Sequence, residues 1–148
     1  MISQTAEYAL RAVVYLADRR GTPCTTARIA AATQVPAGYL AKVMQSLSRA
    51  KLVDSRRGLR GGFTLSLDPA ELTILRVVNA VDPIRRIRSC PLDIPSHGAR
   101  LCPLHQRLDQ AAAAVEEAFG TTTLAELLSV PRSRKPLCRF PSQLPAHP

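Results

Sequence analysis

A mostly α-helical fold carrying one small β-hairpin is what the sequence predicts, and three observations carry that expectation. Apolar residues recur at three- and four-residue intervals over several separate stretches, the period of an amphipathic helix. Two short alternating stretches flank a turn rich in glycine and arginine, Arg57-Gly58-Leu59-Arg60-Gly61-Gly62, the pattern of a hairpin. Aromatics make up 4% of the 148 residues and Trp is absent, so the core must rest on Leu, Val, Ile and Ala, which suits packed helices.

Residues 4–20 read as the first helix, with Ala6, Leu10, Val13, Val14 and Ala17 on one face. Gly21-Thr22-Pro23 ends it. Thr25 or Thr26 caps a short second helix through Ala32, with Ile29 and Ala30 inward. Thr33-Gln34-Val35 is a tight turn, and Pro36 is expected as the first residue of a third helix, where its missing N–H would be unpaired anyway. That helix runs to about residue 50 and buries Leu40, Val43, Met44 and Leu47. Leu52-Val53-Asp54-Ser55-Arg56 and Phe63-Thr64-Leu65-Ser66-Leu67 are the hairpin strands, Phe63, Leu65 and Leu67 sharing a face. After Asp68-Pro69, Thr73 caps a helix through Ala80 that turns Ile74, Val77, Val78 and Val81 inward.

From Asp82 to Leu101 regular structure fades, because Pro83, Pro91, Pro95 and Gly98 interrupt it. A long helix follows over 103–119, its seam made by Leu104, Leu108, Ala111, Ala112, Val115 and Phe119. The run Thr121-Thr122-Thr123 caps a last short helix through Leu128. Beyond Val130, Pro131, Pro136, Pro141, Pro145 and Pro148 mark a disordered basic tail. The expected organisation is a first domain over 1–81, a Cys/His loop over 82–102, a long-helix region over 103–130 and the tail over 131–148.

Helix, short helix, turn, helix, strand, Gly-rich turn, strand is the order of a winged helix-turn-helix. Charge agrees with it: 20 Lys+Arg stand against 11 Asp+Glu, a net +9, which suits a polyanion such as nucleic acid or an anionic membrane surface. No apolar run approaches the ~18 residues of a membrane span. Met1-Ile2-Ser3-Gln4 lacks the pattern of a signal peptide. The expectation is therefore a cytoplasmic protein without a membrane partner, whose four cysteines are thiols or metal ligands rather than disulfides. Paired carboxylates in a motif, a phosphate-cradling glycine loop and a nucleophile–His arrangement are all missing outside the Cys/His loop, so an enzyme is not expected.

In this fold the helix after the turn enters the major groove of DNA and its first turns meet base edges. Pro36, Ala37, Gly38, Tyr39, Lys42 and Gln45 occupy that surface, and Thr26 at the head of the second helix joins them. Tyr39 and Lys42 can reach phosphates, and Lys42 or Gln45 can hydrogen-bond a base. The wing adds Arg56, Arg57 and Arg60, and arginine is favoured in a narrow minor groove by the concentrated negative potential there. A winged-helix module that binds protein instead of DNA is the alternative, against which the wing arginines and the charge argue.

Four segments together give a specific resemblance: Glu7-Tyr8-Ala9-Leu10-Arg11, Val35-Pro36-Ala37-Gly38-Tyr39-Leu40, Arg57-Gly58-Leu59-Arg60-Gly61-Gly62-Phe63 and Leu72-Thr73-Ile74. With their order they resemble the IscR/NsrR-type family of bacterial transcription regulators, the Rrf-two family, over residues 1–128. The resemblance implies a homodimer in which the long C-terminal helix packs on its partner and two recognition helices read a palindromic operator. It places Tyr39 and Lys42 at recognition-helix contact positions and Arg57 at the wing position that enters the minor groove. Gly38 and Ala41 stand where the family tends to have hydroxyl or carboxylate side chains, so operator sequence does not carry over. The expectation is a dimeric regulator, most simply a repressor.

Many members of that family hold an iron–sulfur cluster in the loop before the dimer helix, on three cysteines at five-residue intervals, sometimes with a following His. Cys90, Cys102 and His105 match the pattern, whereas Ser96 replaces the middle cysteine and is followed by His97. By chemistry alone, Cys90, His97, Cys102 and His105 suit tetrahedral zinc and equally a two-iron, two-sulfur cluster with mixed ligation. The resemblance puts the cluster ahead of zinc. It also aligns Glu7 with an acidic position that in some members ligates the cluster from the other subunit, although Glu7 also fits a plain role as an early-helix charge. If the loop has lost its site, the regulator is metal-free and senses through thiols or through a small molecule at the dimer interface. Cys24 is expected in a loop or half-buried, and Cys138 in the tail. The cluster Arg85-Arg86-Ile87-Arg88 reads either as a phosphate-contacting or thiol-tuning patch or as a solvated loop.

Overall fold

The fold is described from a computed structural model, which covers residues 2–97, 100–131, 134 and 136, with the backbone alone of His97. Its elements in chain order are α1 (Gln4–Asp18), α2 (Thr26–Thr33), α3 (Ala37–Arg49), β1 (Val53–Arg56), β2 (Gly62–Leu65), α4 (Ile74–Val81), α5 (Pro103–Thr121) and α6 (Leu124–Leu128), with a single 3-10 turn at Pro95–His97 between α4 and α5. The expected fold class, mostly α with a β-hairpin wing, is the one observed. The predicted tail beyond residue 136, Cys138 included, lies outside the described residues.

Four helices begin where a hydroxyl can satisfy an otherwise unpaired N–H of the first turn. Ser3, Thr25, Thr73 and Thr123 accept from the N–H groups of Ala6, Arg28, Arg76 and Glu126 at 3.2, 3.2, 3.3 and 3.2 Å. Thr123 is also half of a capping box, its own N–H donating to Glu126 Oε2 at 3.0 Å. The α2–α3 turn reverses at Gln34, which takes the left-handed conformation (φ 56°). Pro36 stands one place earlier than expected: with ψ at 129° it is the N-cap of α3, and its carbonyl accepts from Tyr39 and Leu40 at 3.0 and 2.9 Å.

α1 lies at the centre, packed by α2, α3, α4 and α6. Its Val13, Tyr15 and Leu16 meet Ile29 of α2, Leu40, Met44 and Leu47 of α3, Val77 of α4 and Leu124 of α6 in one core. The wing pairs antiparallel from Val53↔Leu65 to Arg56↔Gly62. It is tied to the body by a third short stretch: Cys24 N–H donates to Phe63 O at 3.0 Å and Phe63 N–H to Cys24 O at 2.8 Å. Any side chain at Gly62 (φ +144°) would strike the Cys24 backbone at 2.6 Å, so glycine is required there.

That bridge corrects the expectation for Cys24. Its residue is fully buried, and its thiol donates to Thr22 O at 3.4 Å. Burial pushes the thiol pKa up, partly offset by the nearby charges of Arg28 and Arg19. At the other end of the chain α6 returns to the same core. Leu124 N–H donates to Leu72 O at 2.9 Å and Ile74 N–H to Thr122 O at 3.1 Å, stitching α6 to the start of α4. α5, by contrast, buries none of its residues, and Leu104 and Leu108 of its expected seam stand 64% and 50% exposed.

Candidate nucleic-acid interface

α3 turns its apolar stripe into the core and leaves Pro36, Ala37, Gly38, Tyr39, Lys42 and Gln45 exposed, so the predicted recognition surface faces solvent. The wing brings Arg57 to the same side. Between α3 and the hairpin runs an open groove of about 670 Å³, lined among others by Lys42, Gln45, Ser48, Arg49, Ser55 and Arg57. Ser48, Arg49 and Ser55 are additions to the sequence-based set. Arg49 was legible there, because it continues the Lys42–Gln45 stripe at helical spacing. Ser55 was not, because its side of the hairpin depends on register. Thr26 is half-buried beside its capping neighbour Thr25, and it is not among the residues that line this groove.

Tyr39 is braced rather than loose. Its hydroxyl hydrogen-bonds the Thr5 hydroxyl, and its ring meets Tyr8 edge-on, with centroids 5.4 Å apart and planes at 82°. Arg11 lies over the other ring of this pair, 5.6 Å from the Tyr8 centroid, and donates to Thr33 O at 3.2 Å. Glu7 holds Arg11 in place through contacts of 2.8 Å to Nε and 2.7 Å to Nη2. Residues of α1 thus fix both the recognition helix and the turn before it.

At the wing tip the chain reverses through Gly58 (φ +105°), and Gly61 N–H donates to Gly58 O at 2.9 Å. A Cβ on Gly61 would come within 2.3 Å of Arg56 O, so the turn admits no side chain there. Arg56, Arg57 and Arg60 are all exposed around it.

Two of the expected ligands of the Cys/His loop meet at the head of α5. Cys102 is the N-cap of α5, and its Sγ lies 3.3 Å from His105 Nδ1. Cys90 is 6% exposed. The side chain of His97 lies outside the described residues. Among the described residues no three Cys, His, Asp or Glu side chains gather as a metal site, and the close pair they show from the expected set is Cys102 with His105. Glu7 is occupied by Arg11 within its own helix.

The basic cluster before Cys90 proves to be neither a free patch nor a solvated loop at its centre. Arg86 grips Asp109 of α5 through Nε and Nη2, each at 2.7 Å, and reaches Glu116 at 3.0 Å. Ile87 N–H adds a bond to Asp109 at 2.8 Å. The Arg86 hydrogen bonds draw the Asp109 carboxyl down to about 2. Arg85 and Arg88 remain exposed.

A helix-turn-helix with an exposed recognition face, followed by an arginine-tipped wing, defines a winged-helix DNA-binding protein. The chain belongs to the Rrf2 family, described as iron-dependent transcriptional regulators, which residues 2–129 match. Among its relatives is an HTH-type transcriptional regulator of Aquifex aeolicus, 29% identical over 133 residues that span 88% of this chain and 92% of the relative. Among solved structures, the global cysteine regulator CymR of B. subtilis superposes with a TM-score of 0.70 at 26% identity, covering 86% of this chain and 95% of that one. T. potens IscR superposes at 0.71 with 22% identity, over 86% and 85% of the two chains, a likeness of fold. The chain is thus a transcription regulator and not an enzyme. Among the described residues no helix is long and apolar enough to cross a membrane.

Proposed function

We propose that this regulator acts as a homodimer that reads a palindromic operator, most simply as a repressor in the cytoplasm. α3 would supply base contacts from Lys42 or Gln45 and phosphate contacts from Tyr39 and Lys42, and the wing would place Arg57 in the adjacent minor groove. The observation that carries this reading is the groove bounded by Lys42 and Gln45 on one side and Arg57 on the other. The exposed leucines of α5 support a second copy packed there, since a lone helix does not leave Leu104 and Leu108 in water without cost. The test is a mobility-shift titration in salt on a duplex selected by the wild-type protein from a random pool, with sedimentation to give the oligomeric state. Arg57→Ala should weaken binding and flatten the slope of log affinity against log salt by about 0.9 per chain. An unchanged affinity and slope would overturn the wing assignment, and failure to select any duplex would favour a protein-binding module.

The loop over 82–102, next to α5, is the part we assign to receiving a signal. The iron-dependence in the family description favours a two-iron, two-sulfur cluster, with zinc as the alternative. Cys102 and His105 would be two of its ligands, with Cys90 and either His97 or Glu7 of a second copy completing the set. The described residues of one chain do not fit such a group unaided, because they offer one close donor pair and Glu7 is held by Arg11. A metal-free sensor working through its thiols, or through a small molecule at the α5 seam, is the second reading. Iron, sulfide and zinc analysis of anaerobically purified protein decides between them. About two irons and two sulfides per chain supports the cluster, and a colourless, metal-free protein that still binds DNA supports the thiol reading.

A further inference from the structure

The apolar side chain most open to water among the described residues lies at the wing tip. Leu59 is 108% exposed, more than in an extended reference chain. Isolated surface leucines are common and need no explanation. Leu59 differs in its setting. Of the other strongly exposed leucines among the described residues, Leu104 and Leu108 share the seam of α5 and Leu92 lies in the loop before it, whereas Leu59 projects alone from the end of a two-stranded hairpin. It is one of the two corner residues of the turn that the Gly61 N–H to Gly58 O bond closes at 2.9 Å. Gly61 has no room for a side chain, so the corner is held by backbone contacts and Leu59 cannot fold back by relaxing the turn there. The residue beside it, Arg60, and the nearby Arg56 and Arg57 are exposed cations.

A stiff tip with arginines around one leucine has the composition of a minor-groove reader. The arginines are drawn to the negative potential of a narrow groove. A leucine carried in with them meets sugar faces and base edges rather than phosphates, and leucine is one of the side chains that partly unstack a base step from the minor groove. An apolar pocket on a protein fits less well, because it would have to bury leucine together with flanking guanidinium groups. We propose that Leu59 is an apolar wedge that the wing inserts into the minor groove of the operator, selecting for an easily unstacked pyrimidine–purine step and bending the duplex there. This rests on the reading that the Arg57-bearing wing enters that groove.

The test uses the full-length protein and the duplex that the wild type selects from a random pool. Affinity is measured across salt, and bending by end-to-end fluorescence energy transfer. Leu59→Ala, at a fully exposed site, should leave the fold intact, weaken binding about tenfold through lost apolar burial, keep the salt slope and reduce the bend. Leu59→Met should restore most of both. If Arg57→Ala flattens the slope while Leu59→Ala changes neither affinity nor bend, the wedge is overturned and the wing assignment stands. If Leu59→Ala weakens binding at an unchanged bend, the side chain makes a surface contact only, and the wedge is again overturned. If Arg57→Ala changes nothing, the wing does not enter the groove and both readings fail. If Leu59→Ala affects self-association and not DNA binding, the leucine serves a protein contact instead.

Discussion

Replacing Leu124 by alanine tests whether the C-terminal segment belongs to the same folded unit as the DNA-binding elements. Leu124 has no exposed surface, and its neighbour across the Thr73–Thr123 bridge, Leu72, has none either. Its backbone is fixed by the 2.9 Å bond to Leu72 O and by the Thr123 capping box, so the site can collapse only a little when the side chain is shortened. Leucine-to-alanine changes in cores cost about 2–5 kcal/mol, and a site held this firmly should lie near the middle, at about 3 kcal/mol. For a chain of 148 residues each kcal/mol is worth about 2–4 °C in Tm, so Tm should fall by about 6–12 °C. Urea unfolding followed by circular dichroism should show a lower midpoint with the same slope, as one cooperative transition. Leu92→Ala, at a site 70% exposed, is the control and should shift stability by less than about 0.5 kcal/mol. A loss below about 1 kcal/mol for Leu124→Ala, or a transition split in two, would mean that α6 is an appendage and not part of the core.

Gly61→Ala puts a methyl group 2.3 Å from Arg56 O and should distort the wing alone: duplex affinity falls at least about tenfold while far-ultraviolet dichroism is unchanged, and full retention of affinity would show that the turn is not needed in this form. The Arg86 bonds hold Asp109 down to about 2 from an ordinary 3.8, so their contribution is complete above about pH 4 and is lost only as pH falls towards 2. Subtracting the urea midpoints of Asp109→Asn from those of wild type should therefore give a difference that is flat from neutrality to about pH 4 and then shrinks, and a decline beginning near pH 6 would contradict it. Cys24 is buried with its thiol pKa raised, so in native protein near neutral pH iodoacetamide should modify Cys102 and spare Cys24 until urea is added; equal labelling of the two by mass spectrometry would show that the Cys24–Phe63 bridge opens readily.

The helices were legible because each needs only local information: an apolar stripe at helical spacing and, for α1, α2, α4 and α6, a hydroxyl before it. Thr25, Thr73 and Thr123 cap as expected. The exposed face of α3 was legible for the same reason, since a helix that buries Leu40, Val43, Met44 and Leu47 must expose Tyr39, Lys42 and Gln45. What escaped depends on partners far along the chain. Arg86 finds Asp109 and Glu116, which are 23 and 30 residues away, and no local pattern distinguishes it from Arg85 or Arg88. Cys24 looked like a loop residue because its pairing partner, Phe63, lies beyond two helices and a strand. The Cys/His loop shows the limit of spacing as evidence. Cys102 and His105 meet because the cap and the first turn of one helix bring them together, while Cys90 lies in a segment with no regular element to aim it.

One element joins the two ends of this regulator. α5 packs on α4, α4 packs on α1, and α1 carries the side chains that brace Tyr39 and Thr33. Ile2, the capping residue Ser3 and Ala6 of α1 also face Ala111, Ala112 and Val115 of α5 across a cavity of about 430 Å³. Close-packed interiors resist small displacements, whereas a void beside α5 leaves room for it to shift without overpacking. The Arg86–Asp109 bonds tie the loop before Cys90 to α5. A change at Cys102 or His105, at the head of α5, therefore has a short physical route to the recognition helix: along α5, across α4 and through one turn of α1. Energetic coupling by that route requires that α5 have two arrangements against α1, and the cavity lies where the second arrangement would need space.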